Sequence, residues 1–192
     1  MFPARKQATY ADLLGLPEGV TGQIIAGELV ASPRPAGDHA ITASSLGVDL
    51  GSPFMRGKGG PGGWWIVVEP ELHLGADVLV PDLAGWRRER LPEYPAGTGV
   101  TLRPDWICEV LSPSTAAIDR VRKLPIYARE GVPHAWIIDP VAHTLEVFAL
   151  TGGHWVVVAT HEGDGPVRAV PFDAVELTLR DLWRTPTTPT TP

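Results

Sequence analysis

The sequence predicts an α/β protein in which a mixed β-sheet is flanked by helices and extended by β-hairpins. Apolar runs of strand length, residues 106–111 and 135–140, enclose a segment with helical periodicity at residues 115–130. Two further pairs of short runs surround Gly27 and residues 151–153, and each pair has the pattern of a hairpin. Strands that alternate with helices in this way favour one sheet with helices on both of its faces.

The composition is typical of one globular domain. The chain has 192 residues, of which 44% are apolar and 20% are charged, and we assign residues 1–184 to a single domain. The low-complexity Thr/Pro segment at residues 185–192 is predicted to be a disordered tail. No apolar run reaches the roughly 18 residues needed to cross a bilayer, and residues 1–17 lack the apolar core of a signal peptide. Cys108 is the only cysteine, which excludes an intrachain disulfide and a cluster of thiolate ligands, and we expect a cytoplasmic protein.

The net charge of −6 limits the kinds of partner. An acidic chain is not expected to coat nucleic acid, but an enzyme with a local basic surface is compatible with this charge. Arg56 and Lys58 stand in the glycine-rich segment 51–63, which we interpret as a surface loop that could touch a substrate. The segment is not a phosphate-binding P-loop, because no Gly-Lys-Ser/Thr leads from a strand into a helix.

Caps, breakers and alternation predict the remaining elements. Thr9 and Asp12 have the spacing of a capping box, and Asp38 or a neighbour caps a longer helix with His39 in its first turn. Pro125 is expected to kink or split the central helix. Further strands are predicted at residues 64–68, 71–74, 77–86, 144–150 and 154–160, and a last short helix at residues 179–183.

One acid interrupts the central apolar strand. A carboxylate at Glu109, inside residues 106–111, is costly unless it is paired, protonated or bound to a cation. Alternation places Ile107 and Leu111 on the same face as Glu109. Cys108 lies on the opposite face, where a small buried apolar residue is expected. Some other part of the chain must therefore compensate Glu109.

A second acid lies beside a proline. Asp82 follows Pro81 within a predicted strand, and a proline there implies an edge or a bulge, a distortion that is frequent beside active sites. If the two strands are neighbours, Asp82 and Glu109 converge, and a cation between them would offset their repulsion. Oxygen ligands of this kind suit Mg²⁺ or Mn²⁺. A metal with a nearby lysine can hydrolyse a phosphodiester, because the metal activates water and the ammonium offsets charge.

These residues belong to a longer series of motifs. Residues 79–86 read LVPDLAGW, residues 107–115 read ICEVLSPST and residues 131–140 read GVPHAWIIDP, with Asp119, Lys123 and Tyr127 between the last two. In this combination the chain resembles the Uma-type family of proposed endonucleases, long catalogued as a domain of unknown function. That family falls within the PD-(D/E)XK superfamily. The resemblance covers about residues 22–150 and implies a restriction-endonuclease-like fold with this segment as its nuclease core.

The resemblance also implies a role for each residue of the site. Asp82 and Glu109 would bind Mg²⁺ or Mn²⁺, with the backbone carbonyl of Val110 as a further ligand. Lys123 would orient the attacking water or offset charge on the phosphate. His39 matches a histidine that is usual at the start of the family's next helix, and it would help to position the water or the substrate.

Two positions depart from the family pattern. The superfamily usually places its lysine two residues after the second acid, where this chain has Leu111. Lys123 on the following helix takes that place, as the Uma-type pattern implies, and Asp119 lies four residues before it on the same helix face. An acid expected early in the first hairpin is replaced by Gln23, with Glu28 close by.

We therefore expect a metal-dependent endonuclease, a hydrolase that cuts the phosphodiester bonds of DNA. The resemblance implies duplex DNA as partner and a homodimer as the active form. One alternative is a nucleic-acid-binding or regulatory module on the same fold that has lost catalysis, which fits the acidic charge and the displaced lysine. Another is a structural protein in which Glu109 pairs with Lys123 or an arginine, Lys123 pairs with Asp119, and His39 only helps to begin a helix.

Overall fold

A six-stranded mixed β-sheet forms the centre of the protein. The computed structural model describes residues 7–33 and 37–183, so that the tail predicted at residues 185–192 lies outside the described part. The described residues form twelve strands, six of which belong to the central sheet. They are β1 (Val20–Ile25), β2 (Glu28–Pro33), β3 (Trp64–Val68), β4 (Leu72–Leu74), β5 (Asp77–Leu79), β6 (Leu83–Arg87), β7 (Trp106–Val110), β8 (His134–Asp139), β9 (Thr144–Thr151), β10 (His154–Glu162), β11 (Pro166–Val167) and β12 (Leu177–Thr178). The central sheet has the order β10-β9-β8-β7-β6-β3, and only its β7–β8 pair is parallel.

Two smaller sheets accompany the central one. Strands β2-β1-β5-β4 form a four-stranded antiparallel sheet, and β11 pairs with β12. The β1–β2 and β9–β10 hairpins lie where the sequence predicts them. At the first hairpin, Ala26 and Gly27 both have positive φ values, 52° and 78°, as a tight hairpin turn requires.

The helical elements are short apart from one. They are α1 (Tyr10–Leu14), α2 (Asp38–Leu50), α3 (Ala116–Ile118), α4 (Leu124–Arg129), a π-helical turn after α2 (Gly51–Met55), a second π-helical turn between α3 and α4 (Asp119–Lys123) and a final 3₁₀ turn (Leu179–Leu182). The capping box at Thr9 is present, and Asp12 supplies its second half. No helix among residues 7–33 and 37–183 is long and apolar enough to cross a membrane.

The alternation predicted along β7 is confirmed by the packing. Trp106, Cys108 and Val110 contribute to a core with α2 and the segment after β11, which includes Phe172. The opposite face of β7 contributes Ile107 to a second core, together with α4 and the four-stranded sheet. The central sheet is therefore covered on both faces, as its sequence pattern predicts.

One predicted element differs from the structure, and two others take a more specific form than predicted. Residues 77–86 form two strands in different sheets, because the chain leaves β5 at Val80 and enters β6 after Asp82. The cap of α2 is Gly37, the neighbour of Asp38, and it makes no side-chain capping hydrogen bond. The central helix is split, as Pro125 predicts: residues 119–123 form a π-helical turn, and Pro125 stands in the first turn of α4, where its missing N–H is tolerated.

Candidate functional site

A cavity of about 290 Å³ lies where β6 begins and β7 ends. The side chains that line it include four acids, two cations and one amide: Glu69, Asp82, Glu109, Asp119, His39, Lys123 and Gln23. Hydroxyl groups from the first hairpin and from the loop after β7 complete its wall. The cavity therefore brings together the four side chains that the sequence predicts as site residues, which are Asp82, Glu109, Lys123 and His39.

The pairing of β6 with β7 brings the two predicted metal ligands together. Leu83 pairs with Cys108, so Asp82 comes next to Glu109 at the end of the antiparallel ladder. The Val110 N–H donates to Oδ2 of Asp82 at 2.7 Å. Val110 thus lies beside Asp82, and the ligand role of its carbonyl stays a prediction.

His39 approaches the other oxygen of Asp82. The structure places Nε2 of His39 3.2 Å from Oδ1 of Asp82, and both side chains are largely buried. Burial lowers the pKa of His39, but the hydrogen bond and the negative charge of Asp82 raise it by more, so the pKa lies above its ordinary value. The first turn of α2 thereby fixes the orientation of the Asp82 carboxylate.

Glu109 is held by two donors on the helical segment that follows its strand. Nζ of Lys123 lies 2.7 Å from Oε2 of Glu109, and the Tyr127 hydroxyl donates to Oε1 at 2.7 Å. The side chain of Glu109 is only 1% exposed. Burial raises the pKa of Glu109 to about 8, with Asp119 and Asp82 adding to the rise and Lys123 opposing it. The feature that compensates Glu109 is therefore a lysine and a tyrosine from the next element.

Lys123 is the buried cation of the site. Its Nζ lies 3.3 Å from Oδ1 of Asp119 and donates to the Val80 carbonyl at 3.2 Å, in addition to its contact with Glu109. Burial lowers the pKa of Lys123, but the charges of Glu109 and Asp119 raise it by more, and the ammonium stays charged. The i, i+4 pair predicted from the sequence is present, and it points into the cavity.

The π-helical turn carries the two charged residues of this segment that face the interior. Within residues 119–123 only Asp119 and Lys123 are buried, whereas the other side chains lie closer to solvent. A π turn widens the helix locally and is common at functional sites. The turn directly precedes the helix that carries Pro125, so the break predicted from the proline appears as this change of helical geometry.

The two departures from the family pattern have different outcomes. Gln23 is buried and lines the cavity, and its Oε1 accepts a hydrogen bond from the Val80 N–H at 2.9 Å. Gln23 therefore holds the backbone of Val80, whose carbonyl accepts a hydrogen bond from Lys123. Glu28 pairs with Arg122 at 2.9 Å and is not among the residues that line the cavity. Leu111 packs in the apolar core on the Glu109 face, so no cation takes the usual superfamily position.

Two residues of the site were given no role by the sequence interpretation. The sequence places Tyr127 in the motif spacing and on the apolar face of the central helix, but it lies four residues after Lys123 and shares the helix face of that lysine. Glu69 has no signal in the sequence. Its N–H donates to the Asp82 carbonyl at 2.9 Å, and this bond places it at the cavity wall.

The charge of the cavity suits a divalent cation. Among the described residues no three His, Cys, Asp or Glu side chains are grouped closely enough to form a complete protein cage for a metal. Mg²⁺ does not need such a cage, because it is commonly bound by one or two carboxylates and keeps several waters. The cavity lining contains four acids against one histidine and one lysine. Each side-chain oxygen of Asp82 and Glu109 makes one polar contact, which leaves it a lone pair for a further one. Asp82 and Glu109 thus fit a hard cation that would offset the remaining negative charge.

The fold and the sequence are also similar to those of known proteins. A crystal structure from Anabaena variabilis ATCC 29413, described as "a putative nuclease belonging to DUF820", is similar to this fold with a TM-score of 0.69. The two chains are 24% identical, and the match covers 91% of this chain and 97% of the other. No curated protein matches the chain. The model of the Uma2 family, described as "Putative restriction endonuclease", matches residues 8–180. The chain therefore belongs to the Uma2 family.

Proposed function

We propose that this protein is a metal-dependent endonuclease that hydrolyses phosphodiester bonds in DNA. The observation that carries the proposal is the convergence of Asp82 and Glu109 from neighbouring strands on a cavity that also contains the buried ammonium of Lys123. The description of the family supports a nuclease. The metal, the choice of DNA and the role of each residue are parts of the proposal.

Asp82 and Glu109 would hold Mg²⁺ or Mn²⁺, with the Val110 carbonyl as a further oxygen ligand. The cation would supply an activated water and positive charge close to the phosphate that is cleaved. Binding requires the charged form of Glu109, and the carboxyl group must therefore release the proton that burial favours. His39 and the Val110 N–H fix the orientation of both oxygens of Asp82.

Lys123 would act on the substrate phosphate or on the attacking water. Its ammonium is fixed by Glu109, Asp119 and the Val80 carbonyl, so little reorganisation is needed when negative charge develops on the phosphoryl oxygens. Tyr127 is a positioning residue, because it touches only Glu109 at this site. His39 likewise acts through Asp82 in this proposal.

The proposed active form is a homodimer. Each chain has one cavity of this composition among its described residues, whereas a duplex has two strands to cut. Sedimentation of the purified protein, alone and with a short duplex, would determine the stoichiometry. A monomer that cuts both strands at equal rate would contradict this part of the proposal.

Conversion of supercoiled plasmid to its nicked form tests the function. Wild type with Mg²⁺ or Mn²⁺ should nick the plasmid, and chelation by EDTA should stop the reaction. The Asp82→Asn and Glu109→Gln variants should lose activity, while Glu89→Gln, an exposed acid away from the cavity, should keep it.

Circular dichroism of each variant must show that it is folded. A folded wild type that binds Mn²⁺ but cuts neither DNA nor RNA would favour a catalytically inactive binding module. Equal nicking by wild type and Asp82→Asn would show that another part of the protein, or a contaminant, carries the activity.

A further inference from the structure

A second groove lies beside the C-terminal half of α2. It encloses about 400 Å³ between the C-terminal half of α2, the following π-helical turn and β3. The only charged side chains that line it are Arg56 and Lys58, both exposed, and its other lining residues are small or apolar, including Gly47 and Val48. In a chain of net charge −6, a groove with two cations and no acid in its lining is a local exception.

The two elements that form this groove both begin or end at the candidate active site. The helix α2 contributes His39, its second residue, to the cavity, and Glu69, the residue after β3, also lines it. The helix and the strand remain in contact along the way, since a Cβ on Gly47 would lie 3.3 Å from Cγ2 of Val68. The same helix and strand therefore connect the groove to the cavity, although the two share no lining residue.

Two arginines of β6 and its following turn reinforce the far end. Nη2 of Arg88 donates to the Met55 carbonyl at 3.1 Å, which joins the end of β6 to the loop that carries Arg56 and Lys58. The guanidinium groups of Arg87 and Arg88 also lie 4.5 Å and 4.0 Å from the ring centroids of Trp64 and Trp65. Glu89 is the acid next to these arginines in sequence. The loop that carries Arg56 and Lys58 is thus tied to the end of β6, where two further arginines lie.

In the catalytic cavity, both basic side chains already contact acids. Neither is therefore available to bind substrate phosphates other than the one that is cleaved. Lys123 contacts Glu109 and Asp119, and His39 contacts Asp82. Phosphodiester strands bind chiefly through neutralisation of their phosphates by Lys and Arg. A polyanion whose reacting phosphate lies in this acidic cavity therefore needs positive contacts outside it.

We infer that the groove between α2 and β3 binds the phosphate backbone of the substrate, with Arg56 and Lys58 as its phosphate contacts. This inference rests on the proposed nuclease function and adds the path of the substrate across the protein. The five steps along the chain from Asp82 to Arg87 correspond to about 17 Å of strand, and the next residue, Arg88, bonds to the segment that carries Arg56 and Lys58. At about 3.4 Å per nucleotide along one strand, the contacts fall roughly five nucleotides from the phosphate that is cleaved.

Binding of a fluorescently labelled 24-base-pair duplex in EDTA, where no cleavage occurs, tests the inference. The matched variants are Arg56→Ala/Lys58→Ala and the control Arg168→Ala/Arg180→Ala, which removes the same charge from exposed positions on the segment after β10. The first pair should weaken binding and lower the slope of log Kd against log salt by about two, because about 0.9 counterions are released per phosphate contact. The control pair should bind with the slope of wild type.

The failure of this inference and the failure of the proposed function give different results. If wild type nicks plasmid and the Arg56→Ala/Lys58→Ala variant binds with unchanged affinity and slope, the path is wrong and the nuclease stands. If wild type cuts nothing but the slope falls as expected, the groove binds nucleic acid and catalysis is absent. If wild type does not bind the duplex, or if both variant pairs change the slope equally, the inference is overturned.

Discussion

Raising the pH from 5 to 8 should destabilise the protein when no divalent cation is present. The reason is Glu109, whose ordinary pKa of 4.5 is raised to about 8 by burial and by the acids around it. Between these two values the folded protein holds a proton that the unfolded chain has released. The stabilising contribution is therefore complete below about pH 4.5 and is lost as the pH rises through about 8.

The size of the effect follows from the same two pKa values. Each pKa unit corresponds to about 1.4 kcal/mol, so a rise from pH 5 to 8 should remove on the order of 4 kcal/mol of unfolding free energy through Glu109. The raised pKa values of Asp119 and His39 act in the same direction, because these groups also hold protons more firmly in the folded state. His134 has a lowered pKa, caused by burial and then by Arg87, and acts in the opposite direction. A change of this size is a large part of the about 5–15 kcal/mol that stabilises a typical domain.

Urea denaturation in EDTA at intervals from pH 5 to 8 measures this slope. Glu109→Gln should remove most of it, while Glu89→Gln should leave it intact. The absolute stability of Glu109→Gln is less informative, because Lys123 and Tyr127 both donate to Glu109 and an amide can accept through only one of its two polar atoms. Equal slopes in wild type and Glu109→Gln would refute the argument that buried Glu109 controls the pH dependence.

Three substitutions at the site have expected outcomes. Tyr127→Phe should lower the unfolding free energy by about 1–3 kcal/mol in urea, because it leaves a buried oxygen of Glu109 without its hydrogen bond, and a similar loss in Tyr94→Phe, whose ring contacts are kept, would contradict this reason. Lys123→Met should reduce plasmid nicking by about 10²–10³-fold in protein that circular dichroism shows to be folded, whereas a retained rate would exclude Lys123 from catalysis. His39→Asn should weaken Mn²⁺ binding by about 10–100-fold in calorimetry, since it removes the group that orients Asp82, and unchanged affinity would leave His39 without that function.

Much of the site could be predicted from the sequence because its residues stand at fixed positions in regular elements. Period-two alternation placed Glu109 on one face of β7 and Cys108 on the other, and the packing of the two cores confirms this. Helical periodicity placed Asp119 and Lys123 on one face, and their 3.3 Å contact confirms it. The sequence does not show whether the strands of Asp82 and Glu109 are neighbours. It therefore predicted their convergence only on the condition that the two strands pair.

The parts that were wrong or missed depend on tertiary contacts. Residues 77–86 read as one strand, but the chain changes sheets there, and Asp82 owes its position to that change. The π-helical turn was foreseen only as a kink or break at Pro125, since propensity alone does not specify which helical geometry absorbs a proline. Glu69 reaches the cavity through a backbone hydrogen bond to Asp82, and a contact between distant segments of this kind leaves no pattern in the sequence.

The central claim is that Asp82 and Glu109 hold a divalent cation in one cavity. Calorimetric titration of Mn²⁺ into wild type, Asp82→Asn and the control Glu89→Gln tests it directly. The account predicts saturable binding to wild type and to Glu89→Gln, with the binding lost in folded Asp82→Asn. Binding of equal affinity and stoichiometry in Asp82→Asn, or no binding to folded wild type, would contradict it.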